Sequence, residues 1–194
     1  MRLLLALLLF LPVPAFTQQY EYLITNKGDT VFGRILIRGD FVRVKQEKEK
    51  RDLPPEDVRK IWYKSDWSEE FTVLYAVKSP EDGSVMFLRR IEDGRINLYE
   101  RSSRTPGTMM PAGGNGPMMM TGGGTRYWWY AEKEPGVVTL VGQTGLFVPR
   151  KQQRKDLAAM MSDRRELADK FLAEESNNEK TIRRYIALYN AAGN

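Results

Sequence analysis

The chain has 194 residues, and neither cysteine nor histidine is among them. Without cysteine there is no disulfide, no thiol nucleophile and no Cys-based zinc or iron–sulfur site. Without histidine the usual general base and the commonest metal ligand are gone as well. Long apolar runs are also scarce. The one from Leu3 to Leu11 is roughly half of what a membrane-crossing helix needs. Motifs for familiar chemistry are missing too. Gly113-Gly114-Asn115-Gly116 has no strand-to-helix context and no Gly-Lys-Ser/Thr element, so it is not a phosphate loop. Neither a Gly-x-Ser-x-Gly elbow nor a Ser-x-x-Lys pair occurs. Composition leaves a carboxylate-pair hydrolase open, because its two acids can come from anywhere in the chain. Yet Glu69-Glu70, Glu81-Asp82 and Glu174-Glu175 read as solvated turns or helix surface.

What is present begins with an address. Met1-Arg2 is a short basic start, Leu3–Leu11 is apolar, and Pro12 to Thr17 offers small residues for a peptidase. The pattern predicts a signal peptide over 1–17, cut after Thr17 or close by. The mature chain is then expected to be periplasmic, outer-membrane-associated or secreted. No cysteine follows the apolar run, which argues against a lipid anchor. The formal charge of +5 drops by one when Arg2 leaves with the leader. That small, interspersed surplus favours anionic surfaces weakly. Without a concentrated basic stripe, nucleic acid is a poor partner.

From Tyr20 to Val148 short apolar stretches alternate with turn signals, the pattern of a β-rich body. Tyr20–Thr25, Thr30–Ile37 and Phe41–Lys45 read as a meander, turning at Asn26–Asp29 and at Arg38-Gly39-Asp40. Gly33 within the second strand points to a bulge or a close backbone approach. Leu53–Val58 reads as one helical turn with proline at its start. Arg59–Lys64, Phe71–Val77, Val85–Ile91 and Ile96–Tyr99 continue the strands, and Asp93-Gly94 marks a hairpin. Seven or eight such strands predict a small antiparallel β-barrel or a bent sheet. Residues 102–125 carry seven glycines, three prolines and five methionines, with no surviving period. They read as a long flexible loop, across which Ile96–Tyr99 and Arg126–Ala131 pair as neighbours.

Beyond Pro149 the period changes to 3.6. Leu157, Met160 and Met161 form one apolar stripe, and Leu167, Phe171 and Leu172 form a second. Ile182, Tyr185, Ile186 and Tyr189 form the cleanest stripe. Ser162 and Asn177 or Asn178 are candidate N-caps. The fold class expected is therefore α+β, a β-rich body (18–148) with two to three short helices (149–194) packed on it. The basic run Arg150-Lys151 with Arg154-Lys155 reads as a solvated first helical turn, the other reading being contact with an anionic membrane face.

Leu23–Ile35 and Leu53–Val58, with Met161-Ser162-Asp163, Leu167 and Ile186–Asn190, together resemble an uncharacterised family of exported proteins of Bacteroidota. The resemblance covers most of the mature chain in the same order. It implies a unit that sometimes precedes an outer-membrane β-barrel, and it brings no activity with it. Family members often carry one cysteine where Arg164 stands and another where this chain has Ala191-Ala192; both are absent here.

Two stretches nominate a site. Arg126-Tyr127-Trp128-Trp129-Tyr130 on a strand places Tyr127 and Trp129 on one face, Trp128 and Tyr130 on the other. One pair is expected in the core, and the other as an aromatic platform for a glycan, helped by Trp62 or Trp67. Met109, Met110, Met118, Met119 and Met120 are soft thioether donors, so Cu(I) handling is the alternative. Adjacent methionines on an extended chain point to opposite sides, which counts against a preformed cage. The leading expectation is a non-catalytic envelope module binding an envelope protein or a glycan through Trp128–Tyr130 and the 102–125 stretch. Copper handling comes second and a carboxylate hydrolase last; no cofactor is implied.

Overall fold

The structure, a computed structural model, describes residues 20–47, 49–64, 70–111, 118–145 and 148–192. The expected leader and Trp67 lie outside the described residues. The chain begins with short strands β1 (Tyr22–Thr25), β2 (Thr30–Phe32), β3 (Arg34–Ile37), β4 (Val42–Lys45) and β5 (Lys50–Leu53). Longer strands follow: β6 (Val58–Lys64), β7 (Phe71–Lys78), β8 (Val85–Glu92) and β9 (Asn97–Thr105). Then come β10 (Thr108–Pro111), β11 (Met118–Thr121), β12 (Gly124–Glu132) and β13 (Val138–Gln143). Three α-helices follow among the described residues: α1 (Arg150–Met160), α2 (Arg165–Ala173) and α3 (Glu179–Ala191).

Eight strands form one antiparallel sheet in the order β13-β12-β9-β8-β7-β6-β1-β2. Its two end strands do not meet, so of the two expected forms the sheet is the open, bent one rather than a barrel. Register slips between Ile24 and Thr25, Arg90 and Glu92, and Trp129 and Tyr130. Each slip adds local twist and bends the sheet. Strands β3, β4 and β5 form a separate small sheet, with Arg38–Asp40 at the β3–β4 hairpin tip. Gly33 is the joint where the chain leaves one sheet for the other. Its φ is +144°, and an added Cβ would lie 2.6 Å from the Lys45 carbonyl oxygen. Only glycine allows both the conformation and the approach.

Register places Ile61, Leu74, Arg89, Glu100, Trp129 and Gly142 in one row across the large sheet. At one end of that face Leu23 and Ile61 pack on Ile35, Val42, Val44 and Leu53 of the small sheet. At the other end Leu98, Trp129 and Val141 pack on Leu157, Phe171, Ile182, Ile186 and Tyr189 of the helices. The helical stripes read from the 3.6 period are thus covered by the sheet, as short helices require, except at Leu172, which is 42 % exposed. Asn178 caps α3, accepting from Thr181 N–H at 2.9 Å. Ser162 does not cap α2. It opens a 3-10 turn, Ser162–Arg164, and Arg164 occupies the cap position without a side-chain cap bond. Arg164 instead donates to the Ala192 carbonyl at 2.8 Å.

The reading of 102–125 as a flexible loop is corrected in part. β9 runs on to Thr105 and β12 starts at Gly124, paired Thr105 to Gly124. Beyond them β10 and β11 make a two-stranded ladder, with 112–117 outside the described residues. Strand pairing here needs no apolar alternation, because a narrow ribbon has no core face to mark. Among the described residues no helix is long and apolar enough to cross a membrane.

Candidate ligand-binding surface

The four aromatic residues nominated from the sequence lie on β12, flanked by β9 and β13. Their period-2 split is observed, but neither pair is left over as a free platform. Trp129 is 3 % exposed on the helix-covered face, with Tyr127 partly buried beside it. Their rings stack with centroids 6.3 Å apart and planes 1° apart. Trp129 Nε1 donates to Glu100 Oε2 at 3.4 Å, and Glu100 pairs with Arg89 at 2.7 Å. Gly142 leaves room for the indole: a Cβ there would lie 3.0 Å from Trp129 Cε3. The expectation that one pair alone would be core is therefore corrected. Tyr130 is also buried, on the opposite face, where it joins Tyr99, Leu88, Val77 and Val138. Burial pushes the Tyr130 phenol up from its ordinary pKa.

That second face differs in kind. The cluster on it is built from large-sheet residues alone, with no helix or small-sheet residue among those described. Several of its members are buried nonetheless. Trp128 is partly buried there, its ring 5.7 Å from the Arg101 guanidinium. Tyr75 carries Arg90 at 4.4 Å and Lys60 at 5.4 Å. Tyr75 also meets Tyr99 edge-on at 6.4 Å. Cations held over ring faces in this way are attracted by the ring quadrupole.

Toward β2 the same face carries a row of rings from four successive strands. Phe32 and Tyr22 lie 5.8 Å apart, Tyr22 and Trp62 stack at 6.2 Å, and Trp62 and Phe71 stack at 5.8 Å. Phe32 at the end of the row is 55 % exposed, and the other three are half-buried. Trp62 was expected to help a platform, and it lies on the Trp128 face. Tyr22, Phe32 and Phe71 went unnoticed in the sequence, because only register brings positions 22, 32, 62 and 71 into line.

The face carries a positive surplus. Register puts Lys60, Lys64, Arg90, Arg101 and Arg126 on it, against Glu132 and the Asp93 that pairs with Arg90 at 3.0 Å. The Glu132 carboxylate is already engaged, accepting from Tyr99 Oη at 2.7 Å, Asn97 Nδ2 at 3.2 Å and Gly136 N at 2.8 Å. Burial and the Glu132 hydrogen bond both raise the Tyr99 pKa well above its ordinary value.

The methionines lie away from these rings, in the β10–β11 ribbon. Met109 stands opposite Met120, Met110 opposite Met119, and Pro111 opposite Met118. Met109 is 65 % exposed. Among the described residues no three His, Cys, Asp or Glu side chains gather as a metal site.

Compared with known proteins, the chain matches no family model, no curated protein and no solved structure.

Proposed function

We propose that this is an exported, non-catalytic envelope module that binds a glycan on the Trp128 face of its bent sheet. The carrying observation is the row Phe32, Tyr22, Trp62 and Phe71, with three ring-to-ring steps of 5.8 to 6.2 Å. Sugar rings present flat C–H faces, and aligned aromatic rings offer them apolar contact with little ordering cost. Surplus cations on the same face favour an acidic glycan over a neutral one. The Trp128 end, with Arg101 beside it, extends the surface across the sheet. Export follows from the leader pattern at 1–17 and is part of the proposal.

The test is tryptophan fluorescence and calorimetry of the purified protein against polygalacturonate and a neutral glucan, with Trp62→Ala and Trp128→Ala variants. Binding of the acidic polymer, weakened tenfold or more by Trp62→Ala at unchanged melting temperature, supports the reading. Equal binding by parent and both variants, or none by the parent, removes it. Should an envelope extract yield a protein partner whose capture needs Trp62, the surface would belong to that protein instead.

One observation favours copper as the second reading. The β10–β11 register places positions 109, 118 and 120 on one face of the ribbon and positions 110 and 119 on the other. Three thioethers suit Cu(I). A Cu(I) titration of parent against a Met109→Leu, Met118→Leu, Met120→Leu triple variant decides it, equal affinity ending the idea.

A further inference from the structure

A cavity lies on the helix-covered side, away from the aromatic row. It is a cleft of about 810 Å³ between the end of β13, the first turns of α1 and the turn joining α2 to α3. Trp129 and Leu172 supply apolar wall, and Gln143, Ser176 and Asn177 supply polar wall. That volume and mixed lining suit a small polar ligand.

The charge around it is the wrong way round for a helix on its own. Arg150, Lys151, Arg154 and Lys155 all line the cleft from the first two turns of α1, opposed by Glu175. The α1 first turn holds no acid, and Pro149 at its cap makes no side-chain cap bond. The positive end of the helix dipole therefore faces a cluster of cations, which costs stability where carboxylates would add it. Lys151 and Lys155 form no ion pair or side-chain hydrogen bond with the described residues. A local conflict of this kind marks a place where something other than folding was selected.

Buried polar groups lie beside the cleft. The unpartnered buried side-chain atoms among the described residues belong to Gln153, Arg154 and Asn177. Two of these residues line the cleft, and the third, Gln153, adjoins Arg154 and is 3 % exposed. Buried polar atoms are normally satisfied, so these mark packing behind the cleft wall that folding leaves incomplete. The walls are already set. Arg154 donates to the carbonyls of Phe171, Leu172 and Glu174 at the end of α2. Asn177 Nδ2 donates to the Val141 carbonyl at 3.2 Å.

We infer that this cleft binds a small molecule bearing a carboxylate or phosphate, its oxyanion held by Lys151 and Lys155 at the start of α1. The bound anion neutralises the cations and the helix dipole together. Its polar body reaches Gln143 and Ser176.

The test uses purified protein and a Lys151→Gln, Lys155→Gln variant, with melting temperature and calorimetry as readouts. Probes are glucuronate and inorganic phosphate, with chloride at matched ionic strength as control. The parent is expected to melt higher with glucuronate or phosphate than with chloride, the larger response naming the source. The variant is expected to bind at least tenfold more weakly and to melt no lower than the parent without ligand. Arg154 is left intact, because it also ties α1 to α2. A parent response matched by chloride shows screening alone and overturns the inference. So does a variant that responds like the parent.

Discussion

The carboxamide of Asn190 grips the backbone of Ile96 from both sides. Nδ2 donates to the Ile96 carbonyl at 2.9 Å, and Oδ1 accepts from the Ile96 N–H at 2.9 Å. Ile96 is fully buried, so these bonds satisfy two groups that water does not reach. The clamp fastens the end of α3 to the β8–β9 hairpin. Gly94 permits it, since a Cβ there would lie 2.5 Å from Asn190 Cγ. Asn190→Ala leaves both groups unpaired and is expected to cost about 2–3 kcal/mol. Asn190→Asp keeps the acceptor and loses the donor. Urea unfolding should rank the parent first, and an unshifted Asn190→Ala midpoint would refute the clamp.

Asp163 joins the helices to the sheet through charge. It accepts from Tyr189 Oη, Lys133 Nζ and Arg95 Nη2, each at 2.8 Å. Arg95 and Lys133 also lie 4.6 and 5.2 Å from the Tyr189 ring centre. The Lys133 bond, then the Tyr189 bond, hold its carboxyl well below the usual carboxylate range. A lowered folded pKa adds stability above the unfolded value of about 4, lost as pH falls through the folded value. The stability gap between parent and Asp163→Asn should therefore be widest near neutrality and narrow below about pH 4. Denaturant midpoints across that range measure it, and a pH-independent gap would rule out the charge role.

Gly142 sits where β13 meets α3 and the Trp129 indole. A Cβ there would lie 2.5 Å from Ile182 Cδ1 and 3.0 Å from Trp129 Cε3. Both neighbours are packed in the core, so they have little freedom to yield. Gly142→Ala is expected to cost about 1–3 kcal/mol by overpacking, with altered tryptophan emission. An unchanged melting temperature would show that the interface relaxes.

Local period accounts for what could be read in advance. Alternation separated Tyr127 and Trp129 from Trp128 and Tyr130, and Asp93-Gly94 marked the β8–β9 hairpin. Asn178 was legible as a cap because its chemistry is local, whereas Ser162 was overruled by a 3-10 turn. The Met ribbon was not legible, since its pairing propagates outward from β9 and β12. Nor was the basic cleft. Its walls come from β13, α1 and the α2–α3 turn, stretches that meet only in space.

By itself, then, the sequence determined which chemistries are excluded, where turns fall, and which residues share a strand face or helix stripe. Those properties depend on residue type and on neighbours a few positions away. The tertiary structure decided that helices and small sheet crowd onto one side, leaving Tyr22, Trp62, Phe71 and Trp128 on the other. Period says that two residues face the same way; strand order and register say what, if anything, lies opposite them.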